Sequence, residues 1–105
     1  MSERKYWLDL FSGSAWRGFW DAGANVSGFR DRRRRIVQQI KPGDYLLCYL
    51  TGVSRFIGIL EVTSDPYYDD STTIWIEDAF PWRLKVRPVV ALEPETAVPI
   101  QDLSD

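Results

Sequence analysis

Residues 41–63 read KPGDYLLCYLTGVSRFIGILEVT and hold two apolar runs on either side of a short connection. The first four residues contain Pro and Gly, which predicts a turn. Tyr45–Leu50 has the composition of a buried strand, and Arg55–Thr63 has that of a second strand, so the stretch predicts a β-hairpin. Gly58 lies in the middle of the second strand, which indicates a bulge, a barrel bend or a close backbone approach.

The chain before the hairpin opens with a predicted strand. KYWLDLF at Lys5–Phe11 alternates, so its side chains divide between one face with Tyr6, Leu8 and Leu10 and another with Trp7, Asp9 and Phe11. A helix is predicted from a cap at Ser14 to about Ala22, because three aromatic residues recur at helical spacing. We expect two members of that stripe, Trp16 and Trp20, to lie mainly in the core.

A second helix is predicted from Asp31 to about Ile40, after a connector at residues 24–29. Beyond the hairpin, residues 72–77 predict a short strand or extended segment around Trp75, and Trp82–Leu92 alternates over a longer strand. The resulting order is β-α-α-β-β-β-β, which predicts a single α+β domain over residues 1–105 with a curved antiparallel sheet.

Composition excludes several kinds of catalysis. The chain has 105 residues, no histidine and one cysteine, Cys48, which we expect to be a buried hydrophobe. Without histidine there is no Ser-His-Asp or Cys-His site and no His-ligated zinc. Any enzyme here would have to use carboxylates, Lys, Tyr or a carboxylate-bound metal, and the overall prediction is a protein that is not an enzyme and carries no metal or cofactor. The start of the chain has no apolar run of signal-peptide type, which favours a cytoplasmic location without membrane contact.

Basic residues are concentrated although the net charge is −2. A dense cluster at the predicted second helix could contact phosphates, or it could be a solvated helix face; the two interpretations are about equally weighted. It comprises Arg30, Arg32, Arg33, Arg34 and Arg35. A second row on the long strand comprises Arg83, Lys85 and Arg87; an ordinary solvent face is the stronger interpretation for that row taken alone.

Acidic residues form two adjacent pairs, Asp69-Asp70 and Glu77-Asp78. Neighbouring carboxylates in a loop can hold a hard cation such as magnesium, which would allow a metal-dependent nuclease. A solvated acidic loop is the favoured interpretation, because most exposed carboxylates do nothing more.

Aromatic residues make up 14% of the chain, including five Trp. A nucleobase removed from its stack is held between flat side chains and identified along its edge by small polar groups. Trp75, Phe80 and Trp82 could form such walls, and Ser12, Asn25 and Ser27 could contact the edge. For Trp82 the phase it shares with Leu84 and Val86 favours a core position instead.

Four segments in the same order resemble the EVE domain, a family of the PUA-like superfamily related to YTH domains. They are YWLDLF at 6–11, VSGFR at 26–30, KPGDYLLCY at 41–49 and FIGILEVT at 56–63; VRP at 86–88 resembles a later strand. The resemblance implies a PUA-like curved β-barrel flanked by short helices, with a base pocket near the loop after the first helix. Together with the aromatic pattern it gives this pocket: Phe11, Ser12, Asn25, Ser27, Phe29, Trp75, Phe80 and Trp82.

The resemblance also implies a function. The expected ligand is nucleic acid, DNA ahead of RNA, with a methylated cytosine or adenine flipped into the pocket. Such a domain would be the specificity module of a modification-dependent restriction system, with a fused or associated nuclease or NTPase domain as its partner. The family domain is usually longer, so the chain looks like a minimal version or an N-terminal module. Three alternatives remain: an RNA-binding PUA-type domain without modification specificity, the metal-dependent nuclease, and a protein-interaction scaffold.

Overall fold

A computed structural model describes residues 4–75, 78–92 and 98–99. Two short helical regions accompany the strands: helix α1 (Gly13–Asp21), and a 3₁₀ turn (Asp31–Arg33) that runs into helix α2 (Arg34–Val37). The strands are β1 (Tyr6–Phe11), β2 (Val26–Phe29), β3 (Tyr45–Leu50), β4 (Arg55–Val62), β5 (Tyr67–Tyr68), β6 (Trp82–Ala91) and β7 (Val98–Pro99). No helix among these residues is long and apolar enough to cross a bilayer.

The sheet is curled, and its strand order brings the first two strands to opposite ends. The order is β1-β3-β4-β6-β2, with β5 added to β6 and β7 added to β4. All pairs are antiparallel except β1 with β3, which run parallel. The predicted α+β class is confirmed, but the sheet is mixed and not wholly antiparallel. The long connection between β1 and β3, which includes both helices, permits that parallel pair.

The hairpin prediction is confirmed by β3 and β4. Of the three interpretations of Gly58, the close approach is clearest: a β-carbon there would lie 2.7 Å from the Val90 carbonyl oxygen and 3.3 Å from the Trp16 ring. The register of β4 against β6 also shifts between Ile59 and Leu60, next to this contact. Glycine at position 58 therefore lets the β6 backbone and the Trp16 ring of α1 both lie close to β4.

Local predictions around the first helix need correction. The N-cap of α1 is Ser12, whose Oγ accepts a hydrogen bond from the Ala15 amide at 3.1 Å, so the helix begins before Ser14. Residues 26–29 form strand β2, where the sequence suggested only a connector. The predicted helix over 31–40 is reduced to the 3₁₀ turn and α2. Residues 72–75 form no strand, and residues 76–77 lie outside the described residues.

The core lies inside the curl, under α1. Trp16 and Phe19 stack there with ring centroids 5.4 Å apart, whereas Trp20 is 40% exposed and not a core residue. On β1, Phe11 points inward with Asp9, while the alternate residues are exposed. A charged residue thus enters the interior on the same face as an aromatic one.

Candidate functional site

A cavity of about 240 Å³ opens between the two ends of the sheet, β1 and β2. Its walls come from residues 8–12 of β1 and the start of α1, from residues 28–30, 32 and 33, and from Ala15, Thr51 and Phe80. β1 and β2 are not neighbours in the sheet, so the cavity occupies the seam left where the curl does not close. An unclosed seam of this kind leaves strand edges available to a ligand.

Peptide groups of both strands face this seam. The Tyr45 and Thr51 amides donate to the Lys5 and Phe11 carbonyls, so alternation turns the Leu8 and Leu10 peptide groups away from β3. On β2, the Val86 amide donates to the Asn25 carbonyl, and the same alternation turns the Gly28 peptide group away from β6. The cavity thus contains donors and acceptors fixed by the backbone.

Asp9 is a buried acid at this seam. Its Oδ2 accepts a hydrogen bond of 2.5 Å from the Ser27 hydroxyl, which links β1 to β2 where the backbones do not pair. Burial raises the pKa of Asp9 to about 7, although the Ser27 hydrogen bond and the positive charge of Arg33 both lower it. Asp9 therefore changes protonation near neutral pH.

Arg33 belongs to the cavity lining, as Asp9 does. Its Nε atom is buried and has no hydrogen-bond partner among the described residues. Arg30 and Arg32 are exposed residues of the lining and form its rim, whereas Arg34 and Arg35 are exposed in α2 outside the lining. Arg30 forms a 2.9 Å ion pair with Asp78 and lies 5.5 Å from the centre of the Phe80 ring.

Phe80 is the aromatic wall that the fold positions most tightly. Its φ of 41° is unusual for a bulky residue, so the surrounding contacts must hold it. Its ring packs edge-on against Trp75 at 5.3 Å, and its carbonyl accepts a 3.2 Å hydrogen bond from Arg83 Nε. Gly28 permits this contact, since a β-carbon there would lie 2.7 Å from Trp75 and 2.8 Å from Phe80.

The structure divides the predicted pocket residues into two groups. Four of them line the cavity: Phe11, Ser12, Phe29 and Phe80. Ser27 does not line it but donates a hydrogen bond to Asp9, which does. Trp75 is a correction: it is 4% exposed, its Nε1 donates to the Ala15 carbonyl at 3.0 Å, and it supports Phe80 from behind. Asn25 is exposed outside the lining, and Trp82 is half-buried with its Nε1 bonded to Asp31.

Arg83 is a correction to the predicted second basic row. It is 1% exposed, pairs with Asp69 at 3.3 Å and donates to the Thr72 and Ala79 carbonyls, so it cannot reach a phosphate. The preceding loop lies over this position through the bonded carbonyls of Thr72, Ala79 and Phe80, which covers what would be a solvent face. Lys85 and Arg87 are exposed as predicted, and Arg87 forms a 2.6 Å ion pair with Glu61.

The acidic pairs do not converge on a metal site within the part of the chain that the structure describes. Asp69 accepts hydrogen bonds from Ser71 and Thr72, which lower the pKa of its carboxyl well below the usual range. The Asp78 carboxylate forms an ion pair with Arg30, and Glu77 lies outside the described residues. Cys48 is buried in β3, where burial raises its thiol pKa well above the ordinary value, so it behaves as the predicted small hydrophobe.

Sequence reasoning missed Asp9, Arg33 and Thr51 as parts of one site. The available signal was an acid on the same strand face as two aromatic residues, Trp7 and Phe11. An acid on such a strand face is either exposed to solvent or buried with a hydrogen-bond partner. Only the fold identifies Ser27 as that partner.

Sequence comparison with known proteins identifies one family model and several relatives. The EVE domain model matches residues 5–104. A UPF0310 protein of Pyrococcus abyssi is 33% identical over 96 residues, which is 80% of this chain and 66% of the relative. An uncharacterized protein of Methanocaldococcus jannaschii is 34% identical over 83 residues, covering 70% of this chain and 52% of the relative. The chain thus spans only part of the length of these relatives.

Solved structures show the same fold at low sequence identity. The YTH domain of the Zygosaccharomyces rouxii MRB1 protein, in complex with N6-methyladenosine RNA, superposes with a TM-score of 0.67 at 18% identity, covering 97% of this chain and 64% of that one. Another YTH domain, in complex with m6A, gives 0.62 at 19% identity, with coverages of 87% and 60%. A hypothetical protein from Leishmania major gives 0.62 at 20% identity, with coverages of 96% and 73%. With its ordered sequence motifs, its curled α+β sheet and the match over residues 5–104, the chain belongs to the EVE domain family.

Proposed function

We propose that this domain is a nucleic-acid reader that takes one modified base into the seam cavity between β1 and β2. The observation that carries the proposal is the combination found in that cavity: an aromatic wall, fixed polar groups along its depth, and arginines around its mouth. Base stacking on an aromatic side chain contributes about 1–3 kcal/mol, and polar groups in the slot identify the base edge. Two YTH domains of the same fold are in complex with methylated adenine, which supports this ligand class.

The proposed mechanism assigns a task to each part of the site. The exposed arginines of the rim bind phosphates and hold the strand over the seam. The target base leaves its stack and lies against Phe80, which Trp75 and Gly28 keep in place. Peptide groups of Leu8, Leu10 and Gly28 and the Asp9 carboxyl then face its edge.

The finer proposal is a methylated cytosine or adenine, in DNA ahead of RNA. The domain would act in the cytoplasm without catalysis of its own, as the specificity module of a restriction system that cuts modified DNA. Cleavage would belong to a fused or associated nuclease or NTPase domain. The cavity combines an aromatic wall with fixed polar groups, a set suited to holding a base, which supports assigning recognition to this domain.

Binding measurements at one fixed salt concentration test this proposal. The probes are single-stranded oligonucleotides that carry 5-methylcytosine, cytosine, N6-methyladenine or adenine at one position, on DNA and RNA backbones. We expect a methylated base to bind about tenfold more tightly than its plain counterpart, because the extra methyl group enters an apolar slot. Equal affinities for methylated and plain bases would refute modification reading.

A substitution locates the site. Phe80→Ala should weaken binding of the preferred base by about 1–3 kcal/mol, because the stacking wall is removed. Tyr68→Ala is the control, since Tyr68 is an exposed aromatic residue that packs on Trp82 away from the cavity. If both substitutions have the same effect, the base lies elsewhere.

The second candidate is an RNA-binding domain without modification specificity. The observation that favours it is the RNA in the complex of a YTH domain of the same fold. The same probe set separates the candidates: tighter binding to RNA with no effect of methylation supports the second.

A further inference from the structure

Arg33 differs from every other arginine of its cluster. Its neighbours at positions 30, 32, 34 and 35 are exposed, whereas Arg33 is half-buried in the cavity lining. Its Nε is buried without a hydrogen-bond partner among the described residues. No hydrogen bond or ion pair within the described residues engages the Arg33 guanidinium, so its donors are available to a polar ligand atom in the cavity.

Asp9 is the corresponding acceptor. It is buried in the same cavity, and its one hydrogen bond within the described part of the chain comes from Ser27. It feels the positive charge of Arg33, yet the two groups form no direct ion pair among the described residues. Burial still raises the pKa of Asp9, so the Ser27 hydrogen bond and the Arg33 charge do not fully offset the cost of burying a charged carboxylate.

We propose that Arg33 and Asp9 clamp the edge of the bound base, with Arg33 donating to a ring nitrogen or carbonyl oxygen and Asp9 accepting from a neighbouring N–H. This inference rests on the proposed function and deepens it. The ligand must present an acceptor and a donor side by side, as nucleobases do along their hydrogen-bonding edges. Arg33 is thereby a base-reading residue, while Arg34 and Arg35 contact phosphates.

A phosphate does not fit the place between these two residues. A phosphate next to the buried Asp9 would bring two negative charges together in a site of low polarity. The adjacent walls are the apolar rings of Phe11 and Phe80, which suit a flat, neutral group. The cavity chemistry therefore favours a base over a backbone group at Arg33.

The experiment measures single-stranded oligonucleotide binding over a series of salt concentrations. The central position carries the methylated base preferred in the test above, 2,4-difluorotoluene, or an abasic site. Difluorotoluene has the shape and methyl group of thymine and can stack, but its edge forms only very weak hydrogen bonds. The proteins are the wild type, Arg33→Gln and the matched control Arg34→Gln, which removes the same charge one residue further along.

We expect the wild type to prefer the methylated base over difluorotoluene by about ten- to a hundredfold, the effect of hydrogen bonds to charged groups. Arg33→Gln should lose most of that preference while keeping the slope of log affinity against log salt. Arg34→Gln should keep the preference and reduce the slope by about 0.7, the value for one phosphate contact on a single strand. Arg33→Lys should behave like Arg33→Gln, because a lysine keeps the charge and lacks the guanidinium fork.

Two outcomes overturn the clamp and leave the proposed function standing. One is an Arg33→Gln protein that keeps the preference and loses salt slope as the control does. The other is a wild type that binds the methylated base and difluorotoluene equally, both above the abasic strand. A wild type that does not distinguish the methylated base from an abasic site refutes the proposed function together with the clamp.

Discussion

Asp9 shows how one residue of the site acts against the stability of the fold. Its charged form is disfavoured because it is buried beside β2, with Ser27, Arg33 and the thiol of Cys48 as the polar or titratable groups around it. Its folded-state pKa of about 7 lies above the value of 3.8 expected in the unfolded chain. Between these values the folded protein binds the additional proton, so stability falls as the pH rises from about 4 to 7.

Asp9→Asn should remove this pH dependence. The amide keeps the shape and an acceptor for Ser27 but has no proton to lose, so the variant should exceed the wild type at pH 8 by up to about 4 kcal/mol in free energy of unfolding. Denaturant unfolding at pH 4 to 8 measures the difference. Asp21→Asn, at an exposed position, is the control and should keep the wild-type slope. A wild type whose stability rises between pH 4 and 7 would contradict the assignment.

Gly28 favours the fold, because the absence of a side chain leaves room for Trp75 and Phe80. Gly28→Ala would place a methyl group 2.7–2.8 Å from Trp75 and Phe80, and relieving the contact should cost about 1–3 kcal/mol of stability. It should also weaken base binding by moving Phe80. Gly13→Ala is the matched control, because a β-carbon at Gly13 meets nothing within 4 Å. Thermal unfolding and oligonucleotide binding of the two variants check this; equal behaviour would show that β2 adjusts freely.

Among the elements, the loop between β5 and β6 depends on one residue of β6. Arg83 bonds to the carbonyls of Thr72, Ala79 and Phe80 and pairs with Asp69, so a single guanidinium ties both ends of the loop to the sheet. The loop carries Phe80 to the cavity and places Trp75 against it. The element that completes the site is therefore held by side-chain contacts in place of a strand ladder.

Arg83→Met should lower the free energy of unfolding by about 2–3 kcal/mol, since it leaves three part-buried carbonyls without donors and Asp69 without its partner. Base affinity should fall as well, because Phe80 loses the bond that holds its carbonyl. The control is Arg87→Met, where an exposed ion pair with Glu61 contributes at most about 1 kcal/mol. Urea titration of both variants provides the comparison, and similar losses would argue against a special role for Arg83.

Over the whole molecule, positive charge is concentrated near the cavity although the net charge is negative. The net charge is −2, yet the rim of the cavity carries the exposed arginines that follow β2. This rim attracts a polyanion. Next to it, between the two ends of the sheet, lies the cavity of about 240 Å³. Curling of the whole sheet is what places charge and opening together.

Replacing both Arg34 and Arg35 with Gln should reduce the salt slope of single-strand binding by about 1.4, or about 0.7 for each phosphate contact. Preference among bases should not change, because neither residue lines the cavity. Affinities measured between 50 and 200 mM salt give the slope. An unchanged slope would mean that this part of α2 is a solvated surface.

The sequence alone determined the first helix, the longer strands and the family, but not β2 or the extent of α2. Alternation and turn residues predict β3, β4 and β6, helical spacing predicts α1, and the ordered motifs carry the EVE resemblance, because these signals act between residues close along the chain. The tertiary structure decided that β1 and β2 face each other, that Asp9 and Arg83 are buried, and that Trp75 supports Phe80 from behind. Those outcomes depend on the curl of the sheet, which sets which strand edges meet and which side chains are covered, and no local period encodes it.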